Sequence, residues 1–354
     1  MNFSTLSQVL SNHFFWHPSR INTFAQAVIS LIGTSSITLK HMAHGFDTYA
    51  CLDSTVRKLQ RFLKDQPIDS LVFAHLIKEL LAFSKPVYVA VDRTNWDFGV
   101  FHVNFLFITV CYGKISLPIV WSLLGKKGNS NTDERKALVE EFLKVFPVEQ
   151  IKCFLADREF IGQSWFNFLN DLKIPYVIRI RSDTLVKHKN GGDVRAGNLF
   201  KHLAPMESVQ INNKIWGIKV KIACLKLANG ELLLLASPLD ISLSMLEAYA
   251  DRWSIERTFL CLKTKGFNFE NTHIKDNEKL FKLMAIAVLA FTLTVKAGIY
   301  RALRTPIKIK NNGRPLYSLF TYGLDLLKRL FFNRLTCKKL HNNPSLTLYS
   351  LLSS

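Results

Sequence analysis

Apolar positions along the chain change period as the sequence proceeds. Up to about residue 80 they recur every three or four residues, which predicts helices with one packed face. Ser19-Arg20 leads into an apolar run to Ile32 that Gly33 should stop, and Ser36 opens a shorter run ending at Gly45. Ser54 is placed to cap TVRKLQRFLK, in which Val56, Leu59 and Leu63 form one face and Arg57, Lys58 and Arg61 another. From Pro86 the pattern becomes continuous and β-rich. Val87 to Val91 reads as a central strand and Val103 to Cys111 as a second. Ile115 to Trp121 reads as a third, after the turn signal Tyr112-Gly113-Lys114. Asn131-Thr132 then caps a helix with Asp133 and Glu134 in its first turn, where acidic groups favour the helix dipole. Strand Ile151 to Ala156, helix Gln163 to Leu172 and strand Tyr176 to Ile180 follow.

Three strands with hairpin-like links, then helix, strand, helix, strand, predict an α/β sheet with its first and fourth strands side by side. That order matches a ribonuclease-H-like core. Residues 182–240 break the rhythm: Asn190-Gly191-Gly192 marks a loop, and Val209 to Leu227 and Glu231 to Ala236 read as strands around an Asn229-Gly230 turn. This is a β-rich insertion. Helix returns from about Leu243 and dominates to the end, so the core is flanked by helical N- and C-terminal regions.

Composition narrows the function. The 354 residues are 48% hydrophobic, which excludes a disordered chain, and they carry a net charge of +19. The excess concentrates between Lys296 and Lys339, where 11 Lys and Arg face only Asp325. Nucleic acid is the partner such a charge calls for. The competing reading is a membrane surface, met by Leu326 to Leu335 as a basic amphipathic helix. The most apolar stretch, Leu283 to Val295, is 13 residues long, short of the ~20 a spanning helix needs, and reads as a buried helix. The start, MNFSTLSQVL, lacks a basic segment followed by an apolar core, and the six Cys are scattered without a CxxC pair, so the expectation is a reducing cytoplasm.

Two carboxylates stand where the sheet would expose them. Asp92 ends the first core strand in VAVDRTNW and Asp157 ends the fourth in CFLADREF. On adjacent strand ends they would repel, and a divalent cation is the natural counter-charge. In YADRWSIERTFLCLK, Tyr249, Arg252, Glu256 and Lys263 sit at offsets 0, 3, 7 and 14. At about 100° per residue they share one stripe of a continuous helix. Leu246, Trp253 and Leu260 flank one side, Ile255, Phe259 and Leu262 the other, with Asp251, Ser254 and Thr258 opposite, toward water.

Asp92 in DRTNW, Asp157 in DRE and the spacing Tyr-x2-Arg-x3-Glu-x6-Lys resemble the DDE transposases of bacterial insertion sequences, in the group with the Tyr-Arg-Glu-Lys signature, the insertion sequence four family. The likeness covers about residues 86–270, and Gly313-Arg314 with the segment to Leu324 resembles the family's C-terminal part more loosely. The resemblance implies a helical DNA-binding region at 1–85, a catalytic core at 86–181 resumed at 241–295, the β-rich insertion 182–240 between the second Asp and the Glu, and a basic helical region at 296–354. It implies cut-and-paste transposition, with Asp92, Asp157 and Glu256 as catalytic ligands of two divalent cations, Mg²⁺ with Mn²⁺ able to substitute. Tyr249, Arg252, Lys263 and Arg158 would hold phosphates. Arg158 and Glu159 are alternatively a structural pair. Trp216 would stack on an extruded base, or else belong to the core. The partners implied are the element's terminal inverted repeats and target DNA, bound by a dimer on DNA, with no membrane and a nucleoid-associated, cytoplasmic location. Another ribonuclease-H-like nuclease, or a domesticated DNA-binding protein without catalysis, are the alternatives.

Overall fold

The computed structural model describes residues 4–332 apart from Ser84, Gly113 and Lys189. The basic segment beyond residue 332, including the end of the Leu326–Leu335 stretch, and the glycine of the Tyr112-Gly113-Lys114 turn lie outside the described residues. The chain divides into two compact units. One takes in Met1–Ala82, Trp96–Phe101 and the chain from Thr258 onward, and the other is Phe83–Asn95 with His102–Arg257.

The first unit begins with five helices, α1 (Ser4–His13), α2 (Pro18–Thr34), α3 (Leu39–His44), α4 (Leu52–Asp65) and α5 (Ser70–Leu81). Gly33 does not stop α2. The helix runs on to Ser35, which adopts a left-handed cap and returns its N–H to the Leu31 carbonyl. Cys51, not Ser54, holds the N-cap position of α4, and Thr55, Leu59, Phe62 and Leu63 form its buried face. An aromatic cluster of Phe14, Trp16, Phe24 and Phe62 ties α2 to α4, with the Phe24 and Phe62 rings stacked at 5.8 Å.

The second unit is built on one large mixed sheet. Its strands are β1 (Val87–Phe98), β2 (Phe101–Tyr112), β3 (Ile115–Leu123), β4 (Ile151–Ala156), β5 (Tyr176–Arg179), β8 (Ser208–Ile215), β9 (Ile218–Lys226) and β10 (Leu232–Ser237), in the order β3-β2-β1-β4-β5-β10-β9-β8. β6 (Leu185–Lys187) and β7 (Asp193–Arg195) form a separate ribbon. β1 and β4 pair in parallel with Val91 opposite Ala156, and β4 and β5 continue in parallel. The β-rich stretch extends the main sheet, because β10 pairs antiparallel with β5. Helices α6 (Thr132–Leu143), α7 (Gln163–Asp171), α8 (Ala196–Leu199), α9 (Leu243–Asp251) and α10 (Ser254–Leu260) complete the series. Asn131 closes a full capping box on α6 with Glu134. The turn between β8 and β9 is Trp216-Gly217, both residues at positive φ, a hairpin geometry that Asn-Gly would normally announce.

Two further helices belong to the first unit, α11 (Asn277–Arg304) and α12 (Leu319–Phe332). α11 is 28 residues long, more than twice the apolar stretch read from the sequence, and is long and apolar enough by composition to cross a membrane. Nearly all of its apolar length is buried by α2, α4, α5 and α12, so it is a core helix. α12 is amphipathic as expected, and Leu326, Leu327 and Leu330 are buried where it packs on α11. The two helices cross at a pair of glycines. A Cβ on Gly298 would fall on the Leu319 carbonyl, and one on Gly323 on the Thr294 carbonyl.

Candidate active site

Parallel pairing of β1 with β4 sets the first two carboxylates. Asp92 does not end its strand as expected: β1 runs on to Phe98, and Asp92 is the first residue past the β1–β4 pairing, which stops at Val91 opposite Ala156, so it stands beside Asp157, which directly follows β4. Each is fixed by the next backbone N–H, Arg93 donating to Asp92 Oδ1 and Arg158 to Asp157 Oδ1, both at 2.7 Å. Burial pushes the Asp92 carboxyl up to about 6, and the negative charges of Asp157 and Glu256 push in the same direction. Arg252 acts against this shift, and its Nη1 lies 3.1 Å from Asp92 Oδ2.

Arg252 is the hinge of the cluster. Its side chain is 7% exposed, and its other terminal nitrogen reaches Glu256 Oε1 at 3.5 Å. Burial opposes its charge, but Tyr249 and the three carboxylates outweigh burial and raise its pKa. Tyr249 is buried beside it, the ring centroid 5.8 Å from the guanidinium, and its hydroxyl donates to the Ala156 carbonyl just before Asp157. Tyr249, Arg252 and Glu256 are therefore brought to the Asp92–Asp157 edge of the sheet.

The continuous helix expected over 249–263 is interrupted. α9 ends at Asp251, α10 begins at Ser254, and Cys261–Lys265 form a π-helical turn. At the break the backbone tightens, Trp253 N–H bonding to the Ala250 carbonyl and Ile255 N–H to that of Arg252. The break re-phases the faces. Trp253, expected on an apolar flank, is 64% exposed, whereas Ser254 and Thr258, expected toward water, are buried. Ser254 hydrogen-bonds Ser116 of β3, which pins the start of α10 to the sheet. Lys263 lies in the first unit, where it pairs with Glu270 at 2.9 Å and sits over the Trp96 ring.

Arg158 is exposed, and it is not the partner of Glu159. Arg93 holds both Glu159 oxygens, at 2.9 and 3.2 Å, and also reaches Asn104 and Asn129. Arg135 bonds the Glu159 carbonyl and covers the Phe160 ring. This brace around the Asp157 strand end was not legible in the sequence; its only signal is an Arg directly after Asp92 and a Glu two residues after Asp157. Trp216 is neither core nor joined to the carboxylates. It is 39% exposed on the β8–β9 turn, edge-on to Phe166 with its carbonyl accepting from Gln163.

Carboxylate oxygens are the right donors in kind for a hard cation such as Mg²⁺. Among the described residues, however, no three His, Cys, Asp or Glu side chains are gathered closely enough to hold a metal ion. The counter-charge in this arrangement is Arg252.

The mixed sheet thus sets two neighbouring acidic residues, Asp92 and Asp157, beside Arg252 at the break between α9 and α10 and Glu256 of α10. Residues 109–293 match the transposase DDE domain, more than half of the chain, and the chain belongs to that family. The matched segment holds Asp157, Tyr249, Arg252, Glu256 and Lys263 and begins after Asp92. The chain is similar in structure to the piggyBac transposase in a cryo-EM structure of its synaptic complex with hairpin DNA, at 13% identity and a TM-score of 0.47, covering 94% of this chain and 76% of that one. No curated protein sequence matches.

Proposed function

We propose that the protein is a cut-and-paste transposase of a bacterial insertion sequence, in the Tyr-Arg-Glu-Lys group, with a ribonuclease-H-like core. The observation that carries this reading is the meeting of Asp92, Arg252 and Glu256 beside the Asp157 strand end. In the overall reaction, water attacks a phosphodiester at the element end, the bond from phosphorus to the 3′ oxygen breaks, and a 3′-hydroxyl is freed. That hydroxyl then attacks target DNA, forming one phosphodiester as another is released.

Asp92, Asp157 and Glu256, which this arrangement does not gather into a cation site, are the carboxylates that would have to close around two divalent cations, which would supply charge neutralisation at the entering and leaving oxygens. Arg252 keeps the buried Asp92 ionised, and Tyr249 holds Arg252 in register with the strand end. Arg158 and Lys263 supply phosphate contacts, and the tip residue Trp216 offers a ring for an unpaired base. The regions 1–85 and 296–354 contribute DNA contacts, a dimer assembles on the paired ends, and the protein works in the cytoplasm on the nucleoid.

Glu256→Gln tests the reading. Gln keeps size and helix preference but removes a negative oxygen, so binding of element-end DNA should persist while its cleavage is lost. Gel shift and strand cleavage on the same oligonucleotide measure both. Full cleavage by the Gln protein would remove Glu256 from the chemistry.

A further inference from the structure

Beside the three carboxylates stands an ion pair that their chemistry does not use. Arg93 directly follows Asp92, Glu159 follows Asp157 by two residues, and the two side chains are 13% and 20% exposed. A pair this sheltered is costly to desolvate, so its presence alone is weak evidence of a stabilising role. Its place in the fold suggests another.

The hydrogen-bonded pairing of β1 with β4 stops at Val91 opposite Ala156, one residue short of both aspartates. Two carboxylates set side by side repel, so the segments beyond the pairing need a further tie. Arg93 supplies it. Its guanidinium grips Glu159 as a fork, Nε on Oε1 at 2.9 Å and Nη2 on Oε2 at 3.2 Å. Glu159 lies in a tight turn closed by the Phe160 N–H on the Asp157 carbonyl, so holding Glu159 holds the turn that carries Asp157. The same turn is held from α6, where Arg135 donates to the Glu159 carbonyl at 3.2 Å and lies over the ring of buried Phe160. Arg93 is steadied by Asn104 of β2, whose amide also donates to the Lys126 and Gly128 carbonyls in the loop before α6.

Neither member of the pair is placed as a ligand. Arg93 follows Asp92 within β1, so its side chain leaves the opposite side of the strand. Both oxygens of Glu159 are taken by the fork.

We propose that Arg93 and Glu159 are positioning residues that fix the spacing of Asp92 and Asp157, so that gathering the carboxylates around a cation falls to Glu256 on α10. The choice of a divalent cation rests on the transposase reading; the spacing role rests on the geometry of the brace.

The test titrates the full chain, without DNA, with Mn²⁺ and follows the free ion by its electron paramagnetic resonance signal. The relevant site is the one that Asp92→Asn abolishes. Arg93→Lys keeps the charge but loses the fork, and should weaken Mn²⁺ at that site by about 10–100-fold, the range typical of groups that orient metal ligands. Glu159→Gln should do the same, and covers the case in which Arg93→Lys does not fold. Asp193→Asn, which breaks the exposed Lys187–Asp193 pair on the β6–β7 ribbon, should leave Mn²⁺ affinity unchanged. Strand cleavage at element ends should return in Arg93→Lys as Mn²⁺ is raised, and not in Asp92→Asn. Thermal melts in chelator separate positioning from folding. If Arg93→Lys and Glu159→Gln melt earlier but, while folded, bind Mn²⁺ as the wild type does, the pair is only structural and the proposal is overturned. A wild-type chain without an Asp92-dependent Mn²⁺ site overturns it as well. Brace-dependent Mn²⁺ binding in a wild-type protein that cleaves no element end would instead keep the positioning role and remove the transposase reading.

Discussion

Asp92 and Glu256 carry the same functional group and meet the same arginine, yet the chain places them by opposite means. Asp92 is held at 17% side-chain exposure by a strand whose register with β4 leaves it nowhere else to go. Glu256 stands 47% exposed on a short helix that begins after a break. The sheet forces a carboxylate into a place that disfavours its charge, and the helix brings one up from solvent where charge is tolerated. The difference teaches that the strand holds its carboxylate under electrostatic tension, while the helix presents one at little structural cost.

The largest effect expected from that contrast is in Asp92→Asn. The folded carboxyl titrates near 6 against an ordinary 3.8, so the native state binds more protons than the unfolded chain between those values. For an acid this sign means that stability falls as pH rises through the window. Removing the charge should stabilise the metal-free protein by on the order of 3 kcal/mol at pH 7, and by nothing below about pH 4. Urea melts across pH in chelator, alongside lost cleavage, measure it; a destabilised Asn protein at pH 7 would show that Arg252 more than offsets the burial.

Arg252→Met should come next. Asp92 would lose its counter-charge, but it can take up a proton, which caps the loss at about 1–2 kcal/mol at pH 7. The deficit should shrink as pH falls below 6, where Asp92 is neutral in both proteins. A deficit independent of pH would mean that the arginine stabilises through packing on Tyr249 alone. Ser254→Ala removes the hydrogen bond to Ser116 and should cost about 1 kcal/mol in a thermal melt, with cleavage falling further than stability because α10 loses its anchor to β3. Glu256→Gln should change stability least, within about 0.5 kcal/mol for an exposed pair, despite its loss of cleavage. A large drop in melting temperature there would erase the contrast between the two carboxylates.

The same contrast explains what could be read in advance. β4 spans Ile151–Ala156 as the apolar run does, and Asp157 follows it, because a buried strand is announced by local patterning; β1 instead runs seven residues past Val91 to Phe98, with Asp92 inside it, because polar residues can continue a strand beyond its apolar run. The capping box of α6 is likewise local. The break at Arg252-Trp253 is not. Every residue from Tyr249 to Lys263 tolerates a helix, and the interruption arises where Arg252 is buried against Asp92, 160 positions away in sequence. The Arg93–Glu159 brace is another long-range pairing, across 66 positions, that no spacing announces. The β8–β9 turn escaped because it puts a tryptophan, not the usual Asn or Gly, into left-handed backbone.

The glycine crossing of α11 and α12 has a genetic meaning. At Gly298 and Gly323 the two backbones occupy the space a methyl group would need, so a single codon change to alanine cannot be absorbed by a side-chain rotation. The helices must separate along their whole contact, and the fault grows with temperature as the remaining contacts weaken. Gly323→Ala is thus a route to a heat-sensitive allele, one that leaves every residue of the carboxylate site untouched and lets the protein be switched off in a growing culture by warming it.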